Sequence, residues 1–149
     1  MCSPELVVGR ISPQRERELE QLRDATGGAV VFHRGVSDET YAALLDDRAL
    51  LATLSLDEGY GLPIAEALAF GVPAVVSDSE IFREVAGEGA LYVPATDPNA
   101  FASAVTQLED PVTRARTIAA GLEPSRRFSW ERTAQQLLRT ARGEEFDAA

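Results

Sequence analysis

The chain has 149 residues, 45% hydrophobic and 26% charged, which is enough to bury a sizeable core, so we expect one globular domain. Its formal net charge of −10 argues against partners that need a basic face, which excludes nucleic acid and disfavours anionic lipid. Its apolar stretches are short and no signal-peptide pattern opens it, so we expect a cytoplasmic protein with no membrane segment.

Short apolar runs alternate with helical patterns along the chain. In chain order the sequence predicts a strand at 5–9, a helix at 13–25, a strand at 29–32, a helix at 37–45, a strand at 50–54, a helix at 62–70, a strand at 74–77, a helical turn at 81–86, a strand at 90–93, helices opening at Pro98 and Pro111, and a last helix at 129–142. The alternation predicts an α/β fold, a Rossmann-like parallel sheet with helices on both faces, over residues 1–142. Residues 143–149 are predicted to be a disordered tail.

Ligands of such a sheet bind beyond the carboxyl ends of its strands. In this chain those ends carry glycine, arginine and acidic residues, at positions 9–10, 33–35, 55–61 and 77–78. We therefore expect the functional site at this edge of the sheet.

The turn Glu58-Gly59-Tyr60-Gly61 precedes the predicted helix at 62–70. Its two glycines would allow positive φ and close approach to a ligand. Free N–H groups at Leu62 and Ile64 would form an anion site suited to a phosphate. Glu66, about one turn into the helix, would accept hydrogen bonds from ligand hydroxyls. Spacing alone leaves two interpretations open, a nucleotide-sugar site or a tight turn whose acids complement the helix dipole.

Residues 55–78, SLDEGYGLPIAEALAFGVPAVVSD, resemble the E-x7-E segment of retaining GT-B glycosyltransferases, a family that includes sucrose and glycogen synthases and many bacterial mannosyl- and glucosyltransferases. The flanking segments VVFHRGVSDETYAALLDDRALL and EIFREVAGEGALYVPATDPNAFASAV resemble what precedes and follows it. RRFSWERTAQQLL resembles the terminal helix that usually crosses to the other domain. The resemblance covers roughly residues 5–142 and implies the C-terminal, nucleotide-sugar-binding half of the GT-B fold.

The resemblance also implies roles for individual residues. Glu58 resembles the catalytic glutamate that faces the transferred sugar, and Glu66 resembles the one that binds the nucleotide ribose. The turn whose backbone contacts sugar and phosphate corresponds to Gly59, Tyr60, Gly61 and Leu62, and Val36 matches the residue beside the nucleobase. The implied reaction transfers a sugar from a UDP- or GDP-linked donor to an acceptor with retention, needs no metal or other cofactor, and depends on stabilising the leaving diphosphate.

The chain resembles only the second of the family's two domains, and the first β-α unit of that domain has no counterpart here. That unit usually supplies an arginine and a lysine to the diphosphate. This sequence has no lysine, so Arg10 and Arg34 are candidates to compensate, although either could be a solvated loop residue.

We expect the acceptor to bind a domain in the same or another chain, or a homo-oligomer to form, and whether this chain is active alone stays open. The competing hypotheses are a non-catalytic interaction module descended from such an enzyme and, less favoured by the sequence EGYGLP, a sugar-nucleotide epimerase.

Overall fold

A computed structural model of the chain describes residues 5–8, 12–27, 31–45, 49–125 and 130–143. These residues form five strands and seven helices, in the order β1 (Glu5–Val8), α1 (Pro13–Ala25), β2 (Val31–Arg34), α2 (Asp38–Leu44), β3 (Leu51–Thr53), α3 (Leu62–Ala69), β4 (Ala74–Ser77), α4 (Glu80–Ala86), β5 (Ala90–Val93), α5 (Pro98–Glu109), α6 (Pro111–Ser125) and α7 (Trp130–Ala141). The chain divides into two compact units, Met1–Leu44 and Leu45–Ala149.

The first unit contains a parallel pair of strands, β1 and β2, in which Glu5 lies opposite Val31 and Val8 lies opposite Arg34. The strand predicted at 29–32 is therefore displaced toward the carboxyl end, and its first two residues lie outside the described part of the chain. Arg34, predicted to follow the strand, is its last residue.

Hydroxyl side chains begin both helices of the first unit. The Ser12 hydroxyl accepts the N–H of Arg15 at 3.3 Å, and Pro13 occupies the first turn of α1, where its missing N–H costs nothing. The Ser37 hydroxyl accepts the N–H of Thr40 at 3.3 Å at the start of α2. Both helices start within one residue of the predicted positions because these caps satisfy N–H groups that the first turn leaves without partners.

The second unit contains a parallel three-stranded sheet with β4 at its centre. Leu51 of β3 lies opposite Ala74 of β4, and Ala74 lies opposite Ala90 of β5. Because all three strands run in one direction, their carboxyl ends share one edge of the sheet, as the sequence predicts.

Helices cover both faces of this sheet, which confirms the predicted α/β fold. On one face, α3 and α4 pack onto the strands in a core formed by Ile64, Ala65, Leu68, Ala74, Val76, Phe82, Val85, Ala86 and Ala90. On the other face, α5 packs onto the strands through Val75, Val93, Ala104 and Leu108. Successive residues of β4 enter opposite cores because side chains alternate along a strand, so the whole strand is apolar up to Ser77.

Two aspartates start helices α5 and α6 of the second unit. The Asp97 carboxylate accepts the N–H groups of Asn99 at 2.9 Å and Ala100 at 3.0 Å. The Asp110 carboxylate accepts the N–H and the hydroxyl of Thr113, both at 2.8 Å, and these hydrogen bonds lower the pKa of Asp110. Each aspartate is followed by proline, so α5 and α6 open at the predicted residues.

Within the described ranges, no helix combines the length and apolar character that crossing a membrane would require. Residues 144–149 of the predicted tail lie outside those ranges, and a single domain over 1–142 stays a prediction.

Candidate functional site

The candidate site begins in the loop between β3 and α3, at the carboxyl edge of the sheet. The hydroxyl of Ser55 donates to the carbonyl of Asp57 at 2.9 Å, and the hydroxyl of buried Ser77 donates to the carbonyl of Ser55 at 2.5 Å. The half-buried Glu58 accepts the N–H of Gly59 at 3.0 Å through its carboxylate. The loop that carries Glu58 is thus fixed by hydrogen bonds within itself and to the neighbouring strand.

The two glycines of this loop differ in conformation. Gly61 has a φ of +75°, in the left-handed region, and a Cβ built on it would lie 3.5 Å from the ring of buried Phe82. Gly59 is not in the positive-φ region, and a Cβ there would meet nothing within 4 Å. The prediction of positive φ is therefore confirmed for Gly61 and wrong for Gly59, because the chain reverses into α3 only at the second glycine.

The start of α3 has no side-chain cap, since its N-cap residue is Gly61, and Pro63 has no N–H. The N–H groups of Ile64 and Ala65 both donate to the carbonyl of Gly61, at 3.0 and 3.2 Å. The predicted free N–H at Ile64 is therefore wrong. Among the described residues the Leu62 N–H has no acceptor, so it remains available at the positive end of the helix.

Glu66 lies on the solvent-facing side of α3. Leu62, four residues earlier, is also exposed, whereas Ile64, Ala65, Ala67 and Leu68 are buried. Residues four apart occupy the same face of a helix, and the Cα–Cβ bond tilts toward the helix N-terminus. The carboxylate of Glu66 is thus attached one turn from the open start of α3, where the sequence predicts it.

Exposed apolar side chains surround Glu58 along the chain. Leu56 is 81% exposed and Tyr60 is 50% exposed, although both lie within three residues of a half-buried carboxylate. The loop therefore presents apolar surface on either side of the acid, a composition suited to contact with a partly apolar ligand such as a sugar ring.

The other predicted donor-binding residues belong to the first unit or lie outside the described residues. Arg34 forms an ion pair with Glu16 of α1. Val36 is half-buried and follows Gly35, whose φ is +57°. Arg10 lies outside the described residues. The binding roles of Arg10, Arg34 and Val36 stay predictions.

Sequence reasoning placed Asp78 at a strand end but missed its partners. Arg83 of α4 donates to the Asp78 carboxylate at 2.6 Å, and its guanidinium carbon lies 4.4 Å from the centre of the Tyr92 ring. The hydrogen bond from Arg83 lowers the pKa of Asp78 and raises that of Arg83, whereas burial raises the pKa of Tyr92. The spacing of an aspartate, a serine cap and an arginine five residues on is the signal that could have indicated this cluster.

The family model of the Glycosyl transferases group 1 matches residues 5–110, more than half of the chain, so the chain belongs to this family of glycosyltransferases. It is 37% identical over 141 residues to a phosphatidyl-myo-inositol mannosyltransferase of Mycobacterium leprae, covering 90% of this chain and 36% of the relative. It is 38% identical over 127 residues to a D-inositol 3-phosphate glycosyltransferase of a Nocardioides species, covering 80% and 27%. The chain thus spans about a third of the length of these curated relatives.

Solved structures confirm the GT-B fold. A sucrose-phosphate synthase from Thermosynechococcus elongatus matches with a TM-score of 0.81 and 28% identity, over 95% of this chain and 38% of that protein. Anabaena HepE, whose structure was solved in complex with UDP, matches with a TM-score of 0.75 and 24% identity, over 93% and 40%. The resemblance seen in the sequence is therefore confirmed at the level of family and fold.

Proposed function

We propose that this chain is the donor-binding domain of a retaining glycosyltransferase and that it binds a UDP- or GDP-linked sugar. The observation that carries the proposal is the opening of α3 directly after the Glu58 loop, at the carboxyl edge of the parallel sheet, in a member of this family. The helix start has no side-chain cap, so the Leu62 N–H is left for a ligand at that point.

The start of α3 would bind the diphosphate. The Leu62 N–H and the positive end of the helix dipole favour an anion, although such an exposed interaction contributes only about 0.3–1 kcal/mol. Further donors are therefore needed, and the family resemblance gives that role to Arg10 and Arg34, with Val36 beside the base. Within the first unit Arg34 is paired with Glu16, so any anion that Arg34 binds would compete with that carboxylate.

The two glutamates would contact the ribose and the transferred sugar of the donor. Glu66 would accept hydrogen bonds from the ribose hydroxyls, and bonds to a charged acceptor contribute about 1.5–3 kcal/mol each. Glu58 would face the sugar, where its half-buried carboxylate stabilises the positive charge that develops on the ring as the bond to the diphosphate breaks. Transfer would proceed with retention and without a metal ion.

The acceptor would bind a further domain of the same protein or a separate chain. Two observations support this part of the proposal: the relatives are about three times as long as the matched segment, and α7 exposes Leu137 by 66% and Leu138 by 57%. Light scattering during size-exclusion chromatography distinguishes a monomer awaiting such a partner from a homo-oligomer.

Titration calorimetry of the full chain with UDP-glucose, GDP-mannose, UDP and GDP tests the proposal. We expect at least one nucleotide sugar to bind with a Kd of about 1 mM or tighter. Glu66→Gln should weaken it about tenfold, since a charged acceptor is lost. The matched control is Glu88→Gln, because Glu88 lies in the turn before β5, at the opposite edge of the sheet. EDTA should leave the Kd unchanged. Absence of binding by every nucleotide sugar, or equal losses in the two variants, would contradict the proposal.

A further inference from the structure

The described part of the chain buries three polar side chains, those of Ser77, Thr117 and Ser125. The hydroxyls of Thr117 and Ser125 donate to carbonyls of their own helix, α6, about one turn earlier. Ser77, only 4% exposed, instead donates to the carbonyl of Ser55, which is 22 residues away in the chain. Its bond is therefore the one of the three that joins two separate segments.

Ser77 lies where the backbone pairing between β3 and β4 stops, while its own pairing with Val93 of β5 continues. The ladder between β3 and β4 ends with Thr53 opposite Val76, and Ser77 is the next residue of β4. Its hydroxyl reaches the carbonyl of Ser55, two residues past the end of β3, and so continues the connection with a side chain. This bond holds the chain beside β4 as far as Ser55, three residues before Glu58.

The remainder of the loop is connected to this first bond. The hydroxyl of Ser55 donates to the carbonyl of Asp57, and Glu58 follows directly. At the other end Gly61 is buried, and a Cβ built on it would lie 3.5 Å from the Phe82 ring. The loop is thus attached at both ends, and at its start the Ser77 hydrogen bond adds to the packing of Leu54 against the core that contains Val75.

We propose that Ser77 is a positioning residue, which fixes the start of the loop after β3 and thereby the backbone from which Glu58 projects. Its consequence for donor binding and transfer rests on the proposed function, whereas its control of loop opening does not. The two consequences can therefore be measured separately on the same full chain.

Limited proteolysis measures loop opening without any ligand. Chymotrypsin cleaves after large apolar and aromatic residues, and Leu56 and Tyr60 are both exposed in this loop. We expect Ser77→Ala to speed cleavage at these two sites about tenfold, because the loop loses the side-chain hydrogen bond that joins Ser55 to β4. Mass spectrometry identifies the cleaved bonds, and urea unfolding reports the stability of each variant.

Two comparisons separate positioning from general stability. Thr117→Val also deletes a buried hydroxyl, but one bonded within α6, so it should lower stability without faster cleavage at the loop. Ser77→Thr and Ser77→Val differ only in a hydroxyl against a methyl group, so Thr should keep the slow cleavage and Val should lose it. If the added methyl prevents folding in both, Ser77→Ala against Thr117→Ala decides the question.

Calorimetry with the nucleotide sugar that binds the unaltered chain gives the second readout. Ser77→Ala and Ser77→Val should raise its Kd about tenfold, and Thr117→Val should not. Loop cleavage in Ser77→Ala no faster than in the Thr117 variants would overturn the positioning role. If no nucleotide sugar binds even the unaltered chain, the proposed function fails while the cleavage rates still decide the role of Ser77.

Discussion

The two glycines that flank Tyr60 should respond in opposite ways to alanine. Gly61 has a φ of +75°, and an alanine there costs roughly 1–2 kcal/mol for the left-handed conformation. Its Cβ would meet Phe82 and Val85 at 3.5–3.6 Å, which is ordinary contact and adds no clash. The lower entropy of the unfolded chain offsets about 0.4–1 kcal/mol of that cost, so Gly61→Ala should lose about 1 kcal/mol of unfolding free energy.

Gly59→Ala should stabilise the fold. Gly59 has no positive φ, and its added Cβ would meet nothing within 4 Å, so only the entropic gain of about 0.4–1 kcal/mol remains. The same methyl group would project into the space in which the backbone is proposed to approach the donor. The Kd of a nucleotide sugar should therefore rise about tenfold or more, a loss of roughly 1.4 kcal/mol of binding free energy.

Urea unfolding followed by circular dichroism, with calorimetry of both variants, tests this pair. The expected pattern is a more stable Gly59→Ala that binds poorly beside a less stable Gly61→Ala. A destabilised Gly59→Ala would show that Gly59 adopts a backbone conformation that alanine cannot adopt without strain. Unchanged binding by a stable Gly59→Ala would refute the close approach of a donor to this turn.

Two further predictions concern packing and pH. A Cβ on Gly89 would lie 2.4 Å from the Cα of Gly121, a backbone atom that cannot move away as a side chain could. Gly89→Ala should therefore lower the free energy of unfolding in urea by about 3 kcal/mol. An unchanged unfolding midpoint would contradict this packing. Asp78→Asn tests the ion pair between Asp78 and Arg83. Because folding lowers the pKa of Asp78 below its ordinary value of 3.8, the pair stabilises the fold fully above pH 3.8. This stabilisation is lost as the pH falls through the lower pKa of the folded state. The stability difference between the original chain and the variant should therefore shrink below pH 3.8, and a difference that persists there would contradict the pairing.

Element positions could be predicted wherever local chemistry decides them. α5 and α6 open at the predicted prolines because aspartate caps and proline act within one turn, and β4 is found as predicted because both of its faces are buried. β2 was displaced because the apolar run ends at Phe32, whereas backbone pairing continues through Arg34 and requires no apolar side chain.

Details of the site depend on contacts that no local pattern encodes. The carbonyl of Gly61 accepts from both Ile64 and Ala65, and this tightening of the first turn removes a donor that an ideal helix would leave open. The hydrogen bond from the Ser77 hydroxyl to the backbone carbonyl of Ser55 spans 22 residues of sequence. Serine is too common a residue for the sequence to single out this pair. The family resemblance located the turn correctly, but these contacts needed the three-dimensional structure.

The negative charge at the site predicts an unusual salt dependence of nucleotide-sugar binding. The loop and the first turns of α3 carry Asp57, Glu58 and Glu66, and Arg83 of the next helix, α4, is paired with Asp78. With a net charge of −10, the long-range field repels a diphosphate. Attraction must then come from contacts at short range, which are the hydrogen bonds, the end of the helix and the proposed direct contacts of Arg10 and Arg34 with the diphosphate.

Screening therefore should not weaken binding. The Debye length falls from about 30 Å near 0.01 M salt to about 8 Å near 0.15 M, which removes the long-range repulsion and leaves close hydrogen bonds almost intact. The Kd of a nucleotide sugar should stay constant or decrease over this range, measured by calorimetry in sodium chloride. A tenfold increase would instead mean that exposed arginines supply most of the diphosphate affinity, and Arg10→Gln and Arg34→Gln would then abolish the salt dependence while Glu66→Gln retained it.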